Sequence, residues 1–533
     1  MEKIAALNPR ASMNDIMQHP LSPRLDTYAG KTVFLVQSWP VGSEFYELDE
    51  KLGQYFETKY PGITIHHVTR QLLYSVDEPA LWAQMHKEGD AFVYFSAPSC
   101  STTACAIAWP ARELESKGLP GVTVIYSHFE QDALVSQERE GVLVRYVKVP
   151  YPPEKLSDAQ ISAIMEEIDA ALTSALTAEE QISGIRPPKP RERIVFEGTE
   201  DEAQDYFNER GWTDGLPVVI PTEERVKKML TGTSHAPDEI ITTTMAPEAR
   251  RVTVEDAAVC AVMAGAEPKH FPVILTAVEL LGNVRFQTVT KSTNSFSFMQ
   301  VVNGPIRNEI GMNCSTYALG PGNKANAVIG RALRLALINL GGAEVGVNLM
   351  GVQGNVSAYT FAFAENEECS PWEPFSVNQG FKPDESVLTI FSGGWNHCGN
   401  FQMSKDMTDI SASLVTFETV WGAALLLTPH RAEMLASTGM SKQDVEENVR
   451  SLSTMNAKDF RAQAFYTHFV YPDLRDKGGM WPEEYLTVPD DAQVMKFPNG
   501  GIRAIVVGDP NGVPMMQGWS MYNPRSASID KWR

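Results

Sequence analysis

An α/β fold built on a parallel, flavodoxin-like sheet is predicted for the first part of this chain, followed by a larger α+β region. Three observations predict it. Up to about residue 177, short apolar runs alternate with helix-patterned segments. Next comes IRPPKPRER, a Pro-rich charged stretch without apolar period. Beyond it, helices and strands follow one another irregularly. Strands separated by helices need crossover connections, and crossovers make the sheet parallel.

Taken in order, residues 1–30 are polar and Pro-interrupted and read as an arm. KTVFLVQS (31–38) is rich in branched apolar residues, hence a buried strand. A helix is expected over 45–58, a strand over 63–68 and a helix over 79–87. AFVYF (91–95), VTVIY (122–126) and 143–149 complete the strands. Ser157 caps a long helix to about 177, because Ser and Asp precede an apolar 3–4 repeat. The α/β domain therefore spans 31–177 and a linker spans 178–200. Within 201–533, helices are expected near 202–210, 223–230, 254–264, 271–281 and 325–340. Strands are expected at 286–289, 296–302, 386–391 and 502–507, with a further division near 440 left open.

Bulk properties narrow the function. A chain of 533 residues is too long for one ordinary core. The net charge of −21 argues against nucleic acid or an acidic membrane surface as partner, since both need clustered Lys and Arg. It leaves room for a small anionic substrate in a local basic pocket. No stretch reaches the roughly 18 apolar residues of a membrane span. Six cysteines without a CxxC pair suit a reducing compartment, and MEKIAALNPRASMNDIMQHP lacks the apolar core of a secretory signal. A cytoplasmic protein is the expectation, with homo-oligomerisation open.

The most informative segment is AFVYFSAPSCSTTACAIAWPARELESKGLPGVTVIY. A strand ends near Phe95 and a helix pattern starts near Thr102, so Cys100 lies in a strand-to-helix loop. Ligands of open α/β sheets bind at such carboxyl-end loops. The free N–H groups of the following helix stabilise a thiolate, and Ser99, Ser101 and Thr102 are suited to capping the helix or holding an anion. The alternative is a half-buried structural thiol. Cys105 faces an apolar stretch and reads as packing, with a resolving-thiol role as the lesser alternative.

From Phe92 to Pro153 the chain resembles the selenocysteine-bearing part of the glycine, sarcosine and betaine reductase B-type subunits, and more closely the UGSC family, named for selenocysteine-Gly-Ser-Cys. The resemblance rests on the strand, Ser99-Cys100-Ser101, Glu113-Leu114-Glu115, Lys117-Gly118-Leu119-Pro120, VTVIY and Val149-Pro150-Tyr151-Pro152. It places the family's Ser and second Cys on Ser99 and Cys100, its Gly on Pro98, and its selenocysteine on Ala97. Ala97 supplies no selenol or thiol, so the resemblance implies the fold and the place of the site while weakening a two-electron reductive mechanism.

In the second region, GWTDGLPVV, VMAGAEPKHFPVI, VVNGPIR, LGPGNKANAVIGRALRL and NEECSPWEP extend the resemblance to about residue 395. Asp214 lies in the first of these. Asn303 and Arg307 make a polar patch after a strand. In GPGNKANAVIGRALRL, Asn323 is suited to cap a helix that carries Lys324, Arg331 and Arg334 near one face. Those cations need partners: Glu365, Glu367 or Glu368 on one reading, a substrate anion on the other. For Lys324 the two readings weigh equally, while Arg331 and Arg334 read as internal ion pairs. FSGGWNHCGNF puts His397 and Cys398 in a Gly-rich loop, where His397 is a proton-carrier candidate. Whether Cys314 and Cys369 join them is open. Cys260 reads as core and His270 as surface.

No Walker loop, GxGxxG or GxSxG is present, and no metal-ligand spacing, so neither cofactor nor metal is expected. The leading expectation is an enzyme using Cys100 for covalent or acid/base C–S or C–N addition–elimination chemistry on a small anionic substrate in an interdomain cleft. The alternatives are a reductase using a Cys100 disulfide, and a non-catalytic subunit that binds substrate or a partner.

Overall fold

The computed structural model describes the chain apart from residues 1–2, 39–44, 71–73, 98–99, 151–155, 395–396, 402–406, 417–421, 463–481 and 499–500. The side chains of 45–47, 100, 284–285, 288, 397–401, 483, 486 and 521–523 also lie outside the description.

Two short strands, β1 (Ile4–Leu7) and β2 (Ile16–Gln18), precede the first domain. Then follow β3 (Thr32–Gln37), α1 (Phe45–Lys59), β4 (Thr64–Thr69), α2 (Pro79–Glu88) and β5 (Ala91–Phe95). They are succeeded by α3 (Cys100–Trp109), β6 (Gly121–Tyr126), α4 (Glu130–Glu140), β7 (Tyr146–Val149) and α5 (Asp158–Thr173). The five long strands form one sheet in the order β4-β3-β5-β6-β7, every pairing parallel. This is the flavodoxin-like order predicted above, and it reverses direction between β3 and β5.

All five residues of β5 and all six of β6 are buried, as expected for a parallel sheet covered on both faces. Leu48, Leu52 and Phe56 of α1, with Ile161, Ile164 and Ile168 of α5, cover Leu35, Val93 and Val124 on one face. Trp82, Met85 and Ala106 cover Phe34, Val36, Phe92 and Tyr94 on the other. Ser157 caps α5 reciprocally with Gln160. Helix α4 had no counterpart in the sequence reading because few of its residues are apolar: only Ala133, Asp132, Ser136 and Gln137 are buried.

Strands β8 (Gly184–Arg186) and β9 (Ile194–Gly198) pair with β2 and β1, so the arm and linker segments are laced together in two small antiparallel sheets. The second region is a mixed sheet in the order Ala362–Ala364, Ser297–Asn303, Val387–Gly393, Met515–Ser528, Gly422–Leu427, Gly501–Val506. Its long central strand, Met515–Ser528, also pairs with His397–Phe401. The sheet thus uses strands from both sides of residue 440. Helices Val254–Met263, Phe271–Leu281 and Lys324–Asn339 share one core with it.

Two expectations are corrected. The strand expected at 286–289 is a helix, Val284–Thr290, and Phe286 and Val289 enter the core one helical turn apart. The β-branched residues there pointed to a strand, but burial of that face decides. His270 is 1% exposed rather than a surface residue.

Candidate functional site

Strand β5 ends at Phe95, whose carbonyl accepts from the Ser38 N–H at 3.1 Å and the Ser38 hydroxyl at 2.6 Å. The ends of β3 and β5 are thereby tied together at the point where strand order reverses, the usual ligand edge of such sheets. Ala97 is buried and packs against Tyr74 and Cys105. Thr102 donates its hydroxyl to the Ala97 carbonyl at 2.6 Å, drawing the first turn of α3 back onto the strand. Cys100 is the first residue of α3, and Ser101, Thr102 and Thr103 behind it are buried. Ser99 and the Cys100 side chain lie outside the described residues. Two hydroxyls beside them, Ser96 Oγ and Thr103 Oγ1, are buried without a hydrogen-bond partner among the described residues. Burial pushes the Cys105 thiol up to about 11, against the nearby positive charges of Arg70, Arg139 and Lys291. Cys105 is therefore a neutral thiol at physiological pH, a poor nucleophile.

The second region is joined to α4 through a buried ion network that the sequence reading missed. Lys291 bonds Asp132 of α4 at 3.1 Å and Glu248 at 2.8 Å. Arg139 reaches Glu248 at 3.3 Å and Glu140 at 3.0 Å, and Asn348 donates to Glu248 at 2.7 Å. Burial, reinforced by Glu248, raises the Asp132 carboxyl to about 6 despite Lys291. Burial works the same way on Glu248, but Lys291 and Arg139 outweigh it and hold that carboxyl near 2. Met350 of the second region packs on the core cluster that includes Phe129 and Val149. Nothing marks Lys291 in the sequence, since its partners lie far away in the chain.

On the second-region side lies a cavity of about 400 Å³. Asp214, Ser292, Ser295, Arg334, Asn355 and Tyr359 line it, with Phe296 and Leu349 among its apolar walls. Asp214 grips Arg331 with both oxygens, at 2.8 and 2.9 Å. Arg331 thus has an internal partner, as expected, but Asp214 rather than Glu365, Glu367 or Glu368. Arg334 departs from the expectation: no ion pair or hydrogen bond ties it to any described residue. Asn355 donates to the carbonyl of Gly394 at 2.8 Å, three residues before His397. His397 and Cys398 open the strand His397–Phe401, and their side chains lie outside the described residues.

The remaining candidates lie in other surroundings. Asn303 donates to Glu365 at 2.6 Å and Glu367 at 2.9 Å. Arg307 bonds Glu367 and Glu368 at 2.8 and 3.0 Å and the Gly304 and Glu365 carbonyls at 3.0 and 2.9 Å. Lys324 pairs with Glu267 at 2.5 Å on the surface. Cys314 is half-buried and Cys369 exposed; burial raises the Cys314 thiol above its ordinary range, and Arg307 pulls against it. Cys260 is in the core. Among the described residues no three His, Cys, Asp or Glu side chains gather into a set able to hold a metal ion, and no helix is long and apolar enough to cross a membrane.

The UGSC family model matches residues 5–178, the arm and the parallel-sheet domain, as the resemblance around Cys100 implied. No curated protein and no solved structure matches the chain.

Proposed function

Starting from a first domain matched by the UGSC family, we propose that the chain is a thiol-dependent enzyme for a small anionic organic substrate, with Cys100 as its reactive group. The observation that carries this reading is the position of Cys100: first residue of α3, after the strand next to the switch point of the sheet. The positive dipole end of a helix lies at its N-terminus, which favours a thiolate at that residue. Ser101 and Thr102 shape the turn, and Asp214 supports the cation-bearing wall of the cavity through Arg331. The thiolate adds to an electrophilic carbon, or removes and returns a proton, in C–S or C–N addition–elimination chemistry. His397 is our choice of proton carrier, since its strand follows the Gly394 that Asn355 of the cavity wall holds. We favour this over a disulfide mechanism because Ala97 has no thiol and Cys105 stays protonated. The six thiols fit a reduced, cytoplasmic setting.

Alkylation with iodoacetamide across pH 5–10, read by peptide mass spectrometry, tests the activated thiol. Cys100 should label with a midpoint well below the roughly 8.5 of an ordinary thiol. Cys100→Ser should abolish turnover in a screen of small carboxylic acids without lowering the melting temperature. A labelling midpoint at or above 8.5 sinks the reading.

A further inference from the structure

Three arginine-bearing places compete as a second site. Arg307 is saturated by Glu365, Glu367 and Glu368 and has no donor to spare. The cavity lined by Arg10, Arg186, Arg191 and Arg210 is already held by the chain: Arg10 bonds the Ile338 carbonyl, Arg191 bonds Asp256, and Arg210 stacks on Tyr206. Arg334 is different.

Arg334 lies one turn beyond Arg331 on helix Lys324–Asn339 and lines the cavity of about 400 Å³. Among the described residues the carboxylate that acts on it is Asp214, which is already committed through both oxygens to Arg331. Tyr359, which brings a phenol to the cavity wall, is the other neighbour of Arg334 there. A half-buried guanidinium that no described residue hydrogen-bonds still has five N–H donors to offer, arranged for a planar, two-oxygen anion. The walls state the rest of the ligand. Phe296 and Leu349 line the cavity, and Val345, Val356 and Tyr359 at its lip are 78%, 81% and 52% exposed. Exposed apolar side chains around a polar anchor suit an apolar body carrying one charged end.

We propose that this cavity binds an organic carboxylate of modest size, its carboxylate paired to the Arg334 guanidinium and its apolar body against Phe296 and Leu349. The proposal rests on the anionic-substrate reading above and names its substrate class.

The test uses the full chain with benzoate as probe, benzamide as its neutral isostere, and inorganic phosphate as an anion without an apolar body. Benzoate should raise the melting temperature by a few degrees in a saturable way, whereas benzamide and phosphate should not. Arg334→Met should remove the benzoate response while leaving the unliganded melting temperature equal or higher, because a charge without partner is lost. Arg334→Lys should retain a weaker response. No shift with benzoate, an equal shift with benzamide or phosphate, a benzoate shift that survives Arg334→Met, or failure of Arg334→Met to fold each overturns the proposal. Cys100→Ser should keep the benzoate response. Loss of benzoate binding with an acid-shifted Cys100 labelling profile therefore fails this inference alone, and the reverse pattern fails the thiol reading alone.

Discussion

Arg307 and Arg334 are both guanidinium groups drawn into the second region, and they could hardly be treated more differently. Arg307, with a side chain 4% exposed, is met by two carboxylates and two backbone carbonyls. Arg334 is hydrogen-bonded by none among the described residues and faces a cavity. A buried charge that the chain itself satisfies closes space and fixes geometry. A charge that the chain leaves unsatisfied has to be explained by something from outside. The contrast separates a cation that belongs to the fold from one for which we propose a ligand, although both looked alike as Arg in the sequence.

The largest effects should come from breaking the closed clusters. Arg307→Met strands Glu367 beside the buried Glu365, while the exposed Glu368 turns to water, and should cost about 3 kcal/mol in urea unfolding. Lys291→Met should cost about 3–5 kcal/mol, since it leaves Asp132 buried without its cation and Glu248 with Arg139 alone. It should also loosen the second region from α4, which hydrogen exchange of α4 would register. Losses under about 1 kcal/mol would mean that these networks do not hold their elements together, and the contrast with Arg334 would lose its force.

A smaller effect is expected at His270, and it depends on pH. Burial depresses its imidazole to about 4, because charging it inside the core is unfavourable. Its Nδ1 accepts the Glu267 N–H at 3.0 Å, a bond that needs the neutral ring. The folded value lies below the unfolded value near 6.5, so the stabilisation is complete above pH 6.5. It is lost as pH falls toward 4. Stability should drop by roughly 2–3 kcal/mol over that window. His270→Asn, which keeps an acceptor but no titrating ring, should flatten the drop in urea titrations at pH 4, 5, 6 and 7.

The sheet was legible because its central strands are apolar nearly throughout. A run such as AFVYF, buried on both faces, has few other homes. Helix α4 and the central strand Met515–Ser528 were not legible, the first for want of an apolar stripe, the second because MMQGWSMYNPRSAS carries Gly and Pro in its middle. The loop of Cys100 was found from strand-to-helix punctuation and family resemblance, both local signals. The partners of Arg331, Arg307 and Lys291 were missed or only bracketed because ion pairing depends on chain crossings. Asp214 precedes Arg331 by 117 residues and Asp132 precedes Lys291 by 159. Periodicity cannot report which carboxylate arrives, nor that none arrives for Arg334.

The smallest effect completes the series along a single helix. Lys324, Arg331 and Arg334 lie on Lys324–Asn339, and they grade from solvent to cavity. Lys324 and Glu267 have side chains 59% and 44% exposed, so water screens their pair and the two long side chains lose freedom in forming it. Lys324→Ala should leave the melting temperature unchanged, and any residual effect should vanish between 0.05 and 1 M salt. Benzoate binding should also be unaffected, which distinguishes a specific guanidinium contact from a general attraction to a basic helix. If Lys324→Ala weakened benzoate as much as Arg334→Met, the anion would be reading the charge of the whole helix, and the cavity would not be its site.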